Sequence, residues 1–191
     1  QEAIDAIKLL NQSYPNVPLL FNLIGACYKE LGQLKGAAKM FEVAINLKPD
    51  YAECHKNLGI TLREIGHLED SAETLKRAIE VNPSYVDAYY NLAITFNELG
   101  QSNDAIDYYE KTITLKPKFA AAHNNLGNVL RGLGRNKQAI QSFEEAIKIN
   151  PNFAEAFRNL GNSLRSLKKR EEALFCFECA NEIKPNMDFI L

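Results

Sequence analysis

Residues 120–153 read AAAHNNLGNVLRGLGRNKQAIQSFEEAIKINPNF. Apolar residues fall at Leu126, Val129, Leu130 and Leu133, the spacing of one helix face, and Gly134 then interrupts them. A second set, Ala139, Ile140, Phe143, Ala146 and Ile147, keeps that spacing until Asn150-Pro151 ends it. Glycine permits turn dihedrals that other residues resist, and proline neither continues a helix nor leaves its preceding residue helical. The stretch predicts two helices folded back on each other as a hairpin.

The same hairpin is written along the whole chain. Prolines stand at 15, 49, 83, 117, 151 and 185, each 34 residues after the last. Gly25, Gly59, Gly127 and Gly161 keep the same clock, with Ala93 in the remaining slot. Gly32, Gly66, Gly100 and Gly134 form a further series that only Lys168 breaks. Small residues recur at Ala37, Ser71, Ala105, Ala139 and Ala173, and large ones at Phe41, Leu75, Tyr109, Phe143 and Phe177. Small residues in both helices of a unit predict close approach between them.

With each unit opening where Pro18 stands, five complete repeats are expected at 18–51, 52–85, 86–119, 120–153 and 154–187. Residues 1–17 are expected to be the second helix of an earlier repeat, carried by Ala3, Ile7 and Leu10, and 188–191 the cut start of another first helix. Nothing between them resembles a linker or charge block, so 1–191 is predicted to be one continuous array.

Composition narrows the function. The 191 residues are 46% hydrophobic and 24% charged, enough to bury a core. Lys and Arg total 22 against 24 Asp and Glu, a balance that argues against general nucleic-acid binding. The longest uncharged run, Leu9 to Tyr28, is broken by Asn11, Gln12, Pro15, Asn16, Pro18 and Asn22, so no membrane span or signal peptide is read. Four cysteines are too few for a disulfide framework and fit a reducing compartment. A cytoplasmic location is therefore expected. Opening on Gln1 within a helical pattern, the chain reads as an excerpt of a longer protein.

The period, the Leu-Gly pairs at Leu58-Gly59, Leu126-Gly127 and Leu160-Gly161, the small–aromatic–small series and the closing prolines resemble the tetratricopeptide repeat (TPR) family across essentially the whole chain. Its departures are modest. The aromatic slot of the first helix holds Phe21, His55, Tyr89, His123 and Phe157, never Trp, and Thr112 replaces a small Ala. The resemblance implies an all-α fold, a right-handed superhelical solenoid of stacked antiparallel hairpins, whose first helices line a concave groove that holds a peptide or protein partner.

It also implies which positions face that groove. Asn57, Asn91, Asn125 and Asn159 share one position in four consecutive repeats, with Leu23 in the first, and Asn124, Asn128 and Asn162 stand beside them. Asparagine is a mediocre helix former, but its carboxamide matches the C=O and N–H of an extended backbone. The stripe resembles the asparagine ladder of O-GlcNAc transferase-type TPR superhelices. The plainer reading is that these amides join adjacent helices. Lys56, Arg63, Tyr90, Arg131, Arg158 and Arg165 complete the expected groove, opposed by Glu53, Glu64, Asp87, Glu98 and Glu155. The last two repeats are the more basic, suiting an acidic peptide or carboxylate; the plainer reading is a solvated face. A chaperone-type carboxylate clamp is only partial. Asn124 stands where its first basic residue belongs when Asn128 and Asn159 are aligned, Ile60 spoils the frame from Lys56, and the frame from Arg158 and Asn162 runs out of chain.

Enzymatic signals are weak. Cys176 and Cys179 form a C-x-x-C pair within a second helix and lack a second ligand pair, so buried reduced thiols are expected, with no metal or cofactor. Cys27 and Cys54 are expected to pack in first helices, as are His55 and His123, while His67 is expected in an exposed turn. The sequence thus predicts a binding module, not an enzyme, that takes an extended protein or peptide segment and neither nucleic acid nor membrane. Three other readings stand beside it: a scaffold that self-associates through its convex face or exposed array ends such as Phe189, Ile190 and Leu191, the substrate-recruiting arm of a larger enzyme such as a glycosyltransferase or sulfotransferase, and, last of the three, a lone catalytic domain.

Overall fold

Side-chain size at two positions decides how closely the helices of a hairpin approach. In the computed structural model, which describes residues 16–185, a Cβ added to Gly25 would lie 2.7 Å from the Phe41 ring. At Gly59 it would lie 2.6 Å from Leu75, at Gly127 2.6 Å from Phe143 and at Gly161 2.6 Å from Phe177. No real side chain tolerates such distances, so glycine sets the helix separation and the large residue fills the space it leaves. The first expected helix and the cut one at 188–191 lie outside the described residues.

Ten helices and no strand occur among the described residues. They are α1 (Pro18–Glu30), α2 (Leu34–Leu47), α3 (Ala52–Ile65), α4 (Leu68–Val81), α5 (Val86–Glu98), α6 (Ser102–Leu115), α7 (Ala120–Gly132), α8 (Asn136–Ile149), α9 (Ala154–Ser166) and α10 (Arg170–Ile183). Contacts divide them into two compact units at Gly100/Gln101, so α5 closes the first and α6 opens the second. In the first unit, α1 pairs with α2 and α3 with α4, and α2 packs on α3; in the second, α7 pairs with α8 and α9 with α10, and α8 packs on α9. Ala37, Phe41, Ala44, Cys54 and Leu58 make a core cluster where two hairpins of the first unit meet. In the second, Phe143, Ala146 and Ala156 are fully buried.

Second helices stop where the sequence says. Lys48, Asn82, Lys116, Asn150 and Lys184 each precede a proline and leave the helical region, with φ between −131° and −141°. First helices end in a left-handed residue, closed after α1, α3, α7 and α9 by paired backbone bonds. At Gly66, φ is +96°, its N–H reaches the Arg63 carbonyl at 2.9 Å, and the His67 N–H reaches Leu62 at 2.9 Å. Lys168 makes the same turn with φ +63°, its N–H 3.0 Å from the Arg165 carbonyl and the Lys169 N–H 3.0 Å from Leu164. A Cβ in that conformation costs roughly 1–2 kcal/mol.

Two substitutions should therefore act with opposite signs. Lys168→Gly relieves strain at the cost of chain entropy, and a net gain of about 0.5–1 kcal/mol is expected in urea unfolding. Gly127→Ala should lose about 1–3 kcal/mol through overpacking against Phe143, despite the better helix propensity of alanine. A stabilised Gly127→Ala chain would show that the close approach does not set the hairpin geometry.

Candidate functional site

The groove side chains sit on first helices, and most are spent on each other. Asn57 donates from Nδ2 to Asn22 Oδ1 at 3.0 Å, and Asn22 donates to the Tyr51 hydroxyl at 3.4 Å. Asn159 donates to Asn124 Oδ1, also at 3.0 Å. Lys29 meets Glu64 at 3.0 Å and Arg63 meets Glu98 at 2.8 Å. Apart from the Asn22–Tyr51 bond, which spans 29, the two partners lie 35 positions apart, one more than the period. These bonds tie each first helix to the next within a unit.

That pairing corrects the picture of a row of open carboxamides. Asn124 and Asn159 are 1% and 2% exposed, and the Asn124 amide also reaches Glu155 Oε1 at 3.3 Å. A ligand cannot reach either without parting α7 from α9. Asn57, Asn91, Asn125, Asn128 and Asn162 are half-buried. Asn91 donates back to the Asp87 carbonyl at 2.8 Å, within its own helix, and Asn125 Oδ1 accepts from Asn124 at 3.5 Å. Lys56 and Tyr90 are half-buried on α3 and α5.

The second unit leaves its cations differently placed. Arg131 donates from Nη2 to Asn128 Oδ1 at 3.4 Å, and Arg165 to Asn162 Oδ1 at 3.2 Å. An amide oxygen three residues back orients a guanidinium without cancelling its charge. Arg165 also lies over the Phe177 ring at 5.9 Å. Arg158 is half-buried, and its Nε is buried without a hydrogen-bond partner. Burial and the like charge of Arg158 push the Arg131 pKa down. Among the described residues neither Arg131 nor Arg158 forms an ion pair with a carboxylate, and Glu155 is turned to Asn124 instead. By the 35-residue rule the partner of Arg131 would be residue 166, which is serine.

Sequence profiles for the tetratricopeptide repeat match residues 20–51, 86–119, 120–153 and 154–187, and a further TPR profile matches 61–100. The chain belongs to the tetratricopeptide repeat family. A crystal structure of MamA resembles this TPR chain with a TM-score of 0.79 and 28% identity, covering 84% of it and 94% of MamA. A fragment of MamA from Desulfovibrio magneticus RS-1 gives 0.81 at 17% identity, covering 90% and 97%. YrrB, described as a TPR protein with an unusual peptide-binding site, gives 0.76 at 19% identity, covering 96% and 95%. The last two share the all-α TPR fold alone. No curated protein matches the sequence.

Other polar groups serve the TPR scaffold. His55 Nε2–H donates to the Pro49 carbonyl at 2.8 Å, the Tyr89 hydroxyl to Pro83 at 3.3 Å, and His123 Nε2–H to Pro117 at 3.0 Å. In these three repeats the aromatic slot tethers the loop six residues before it as well as packing, whereas Phe21 and Phe157 have no donor to do so. Proline followed six residues later by a residue with a ring donor was the signal available. His67 is exposed, as expected, beside Asp70 at 3.4 Å. Cys176 is buried but Cys179 is half-buried, so the pair is not equally enclosed. Among the described residues no cluster of three His, Cys, Asp or Glu is placed to hold a metal ion, and no helix is long and apolar enough to cross a membrane.

Burial pushes the Cys54 thiol up to about 12, with Glu53 adding to it, and the Cys176 thiol up to about 11. The folded chain keeps protons there that the unfolded chain releases near the ordinary value of 9.0, so stability should fall as pH rises above 9 and continue falling to about 12. Urea midpoints between pH 8 and 11 should show this decline. Cys54→Ala, although less stable at pH 8, should show a shallower one; an unchanged slope would mean that this thiol is not responsible.

Proposed function

We propose that the chain is a protein-interaction module whose second unit binds an extended, acidic segment along the face made by α7 and α9. One observation carries the reading: among the described residues Arg131 and Arg158 form no ion pair with a carboxylate on that face, whereas Lys29 and Arg63 in the first unit are paired with Glu64 and Glu98. Two like charges held together in a partly dry site are unfavourable until an anion joins them. Asn128 and Asn162 hold Arg131 and Arg165 in place for a bidentate pair. The half-buried amides of Asn125, Asn128 and Asn162 then supply backbone contacts, a shorter ladder than a four-repeat stripe would give.

A fluorescein-labelled peptide with two glutamates in an otherwise neutral, extended sequence is the direct probe. Arg131→Ala together with Arg158→Ala should weaken it about a hundredfold or more, since charge-assisted contacts contribute about 1.5–3 kcal/mol each. Salt dependence should fall in the same variant. Arg63→Ala should leave affinity within about twofold. Equal affinity in the double variant, or equal binding of a lysine-bearing peptide, would overturn the proposal.

A further inference from the structure

The second helices of the later unit make a face with the opposite chemistry. Between α8 and α10, over α9, lies an open cavity of about 620 Å³, within the roughly 300–1,000 Å³ typical of ligand sites. Phe157, Leu160 and Leu164 of α9 form its apolar floor, and Phe175 of α10 stands at its wall. Phe175 is 63% exposed, more than any other large apolar side chain among the described residues.

Phe175 breaks its own column. At the same place in the preceding repeats stand Lys39, Glu73, Asp107 and Gln141. A second-helix position that elsewhere meets water with a polar group here offers it an aromatic ring, which burial on a partner would relieve. Three periods earlier, the positions of Phe157 and Phe175 hold His55 and Glu73, so the sequence makes this apolar surface in one repeat and not in the other.

The rim carries the charge. Glu144 and Glu171 line the opening, and neither forms an ion pair among the described residues. The other charged groups there are occupied: Lys148 lies 3.3 Å from Glu145, and Glu172 lies 2.9 Å from Lys169. The unspent charge around the apolar floor is negative.

We propose that this cavity docks a short segment of a partner protein in which a large apolar side chain is flanked by lysine or arginine. The apolar side chain fills the floor beside Phe175, and its basic neighbours pair with Glu144 and Glu171. This surface lies on second helices, so the proposal stands apart from the acidic-segment reading of α7 and α9.

An array of hexapeptides tests it, with Phe, Leu, Ile or Trp at the centre and Lys on both flanks, beside a matched array with Glu flanks. The full chain should bind members of the first array saturably and none of the second at this site. Binding should shift the methyl resonances of Leu160 and Leu164. Phe175→Gln, which restores the residue type found at Gln141, should weaken the best peptide at least tenfold while circular dichroism and melting stay near those of the parent. Glu144→Gln with Glu171→Gln should weaken it several-fold and flatten its salt dependence; Arg131→Ala with Arg158→Ala should not weaken it. Failure of the basic array to bind below about 1 mM, the affinity that marks a weak contact, would overturn the proposal. So would undiminished binding to the Phe175→Gln chain. Light scattering that shows a dimer abolished by Phe175→Gln, without peptide binding, would assign the surface to a second copy of the chain instead.

Discussion

The meeting of a residue on one first helix with the residue 35 positions later on the next governs the rest of the structure. A repeat of 34 residues would place identical positions side by side, and the stagger of one brings neighbouring columns together instead. Four pairs show it: Asn22 with Asn57, Lys29 with Glu64, Arg63 with Glu98, and Asn124 with Asn159. Amide meets amide and cation meets anion. Each pair stitches one hairpin to its neighbour and at the same time removes two polar groups from the surface a ligand sees. Recognition is left to positions where the complement is missing.

That constraint explains why a chain with a formal charge of −2 can carry strong local fields. In the later unit, the face of α7 and α9 holds Arg131 and Arg158 without carboxylate partners among the described residues, while the face of α8 and α10 holds Glu144 and Glu171 around an apolar floor. Averaged over the chain, these cancel. Neither face would exist without the tight hairpins beneath, because Gly127 against Phe143 and Gly161 against Phe177 fix where each helix presents its polar side.

Much of this was legible as sequence. The glycine–aromatic pairs, the proline stops and the left-handed turns all follow from residue types whose backbone or steric needs are local, and Lys168 stood out because it broke such a series. The fate of the asparagines was not legible. Asn57, Asn91, Asn125 and Asn159 occupy one column, yet only Asn159 is closed off, bonded to the buried Asn124, which also reaches Glu155. Asn57 has the same kind of partner in Asn22 but remains half-buried. A column shows what a position offers; only the facing helix decides whether the offer is taken. The tether from His55 to the Pro49 carbonyl was similarly hidden, since packing and hydrogen bonding call for the same ring in the same slot.

The pairing rule is open to one decisive measurement. Residue 166 is an exposed serine at the end of α9, 35 positions after Arg131. In a double-mutant cycle of Arg131→Ala and Ser166→Glu, the introduced carboxylate should couple to Arg131 as Glu98 couples to Arg63. A favourable coupling energy of about 0.5–1 kcal/mol is expected, reduced by salt. A coupling of zero at low salt would contradict the rule that sets which groups of this face are spent and which remain for a partner.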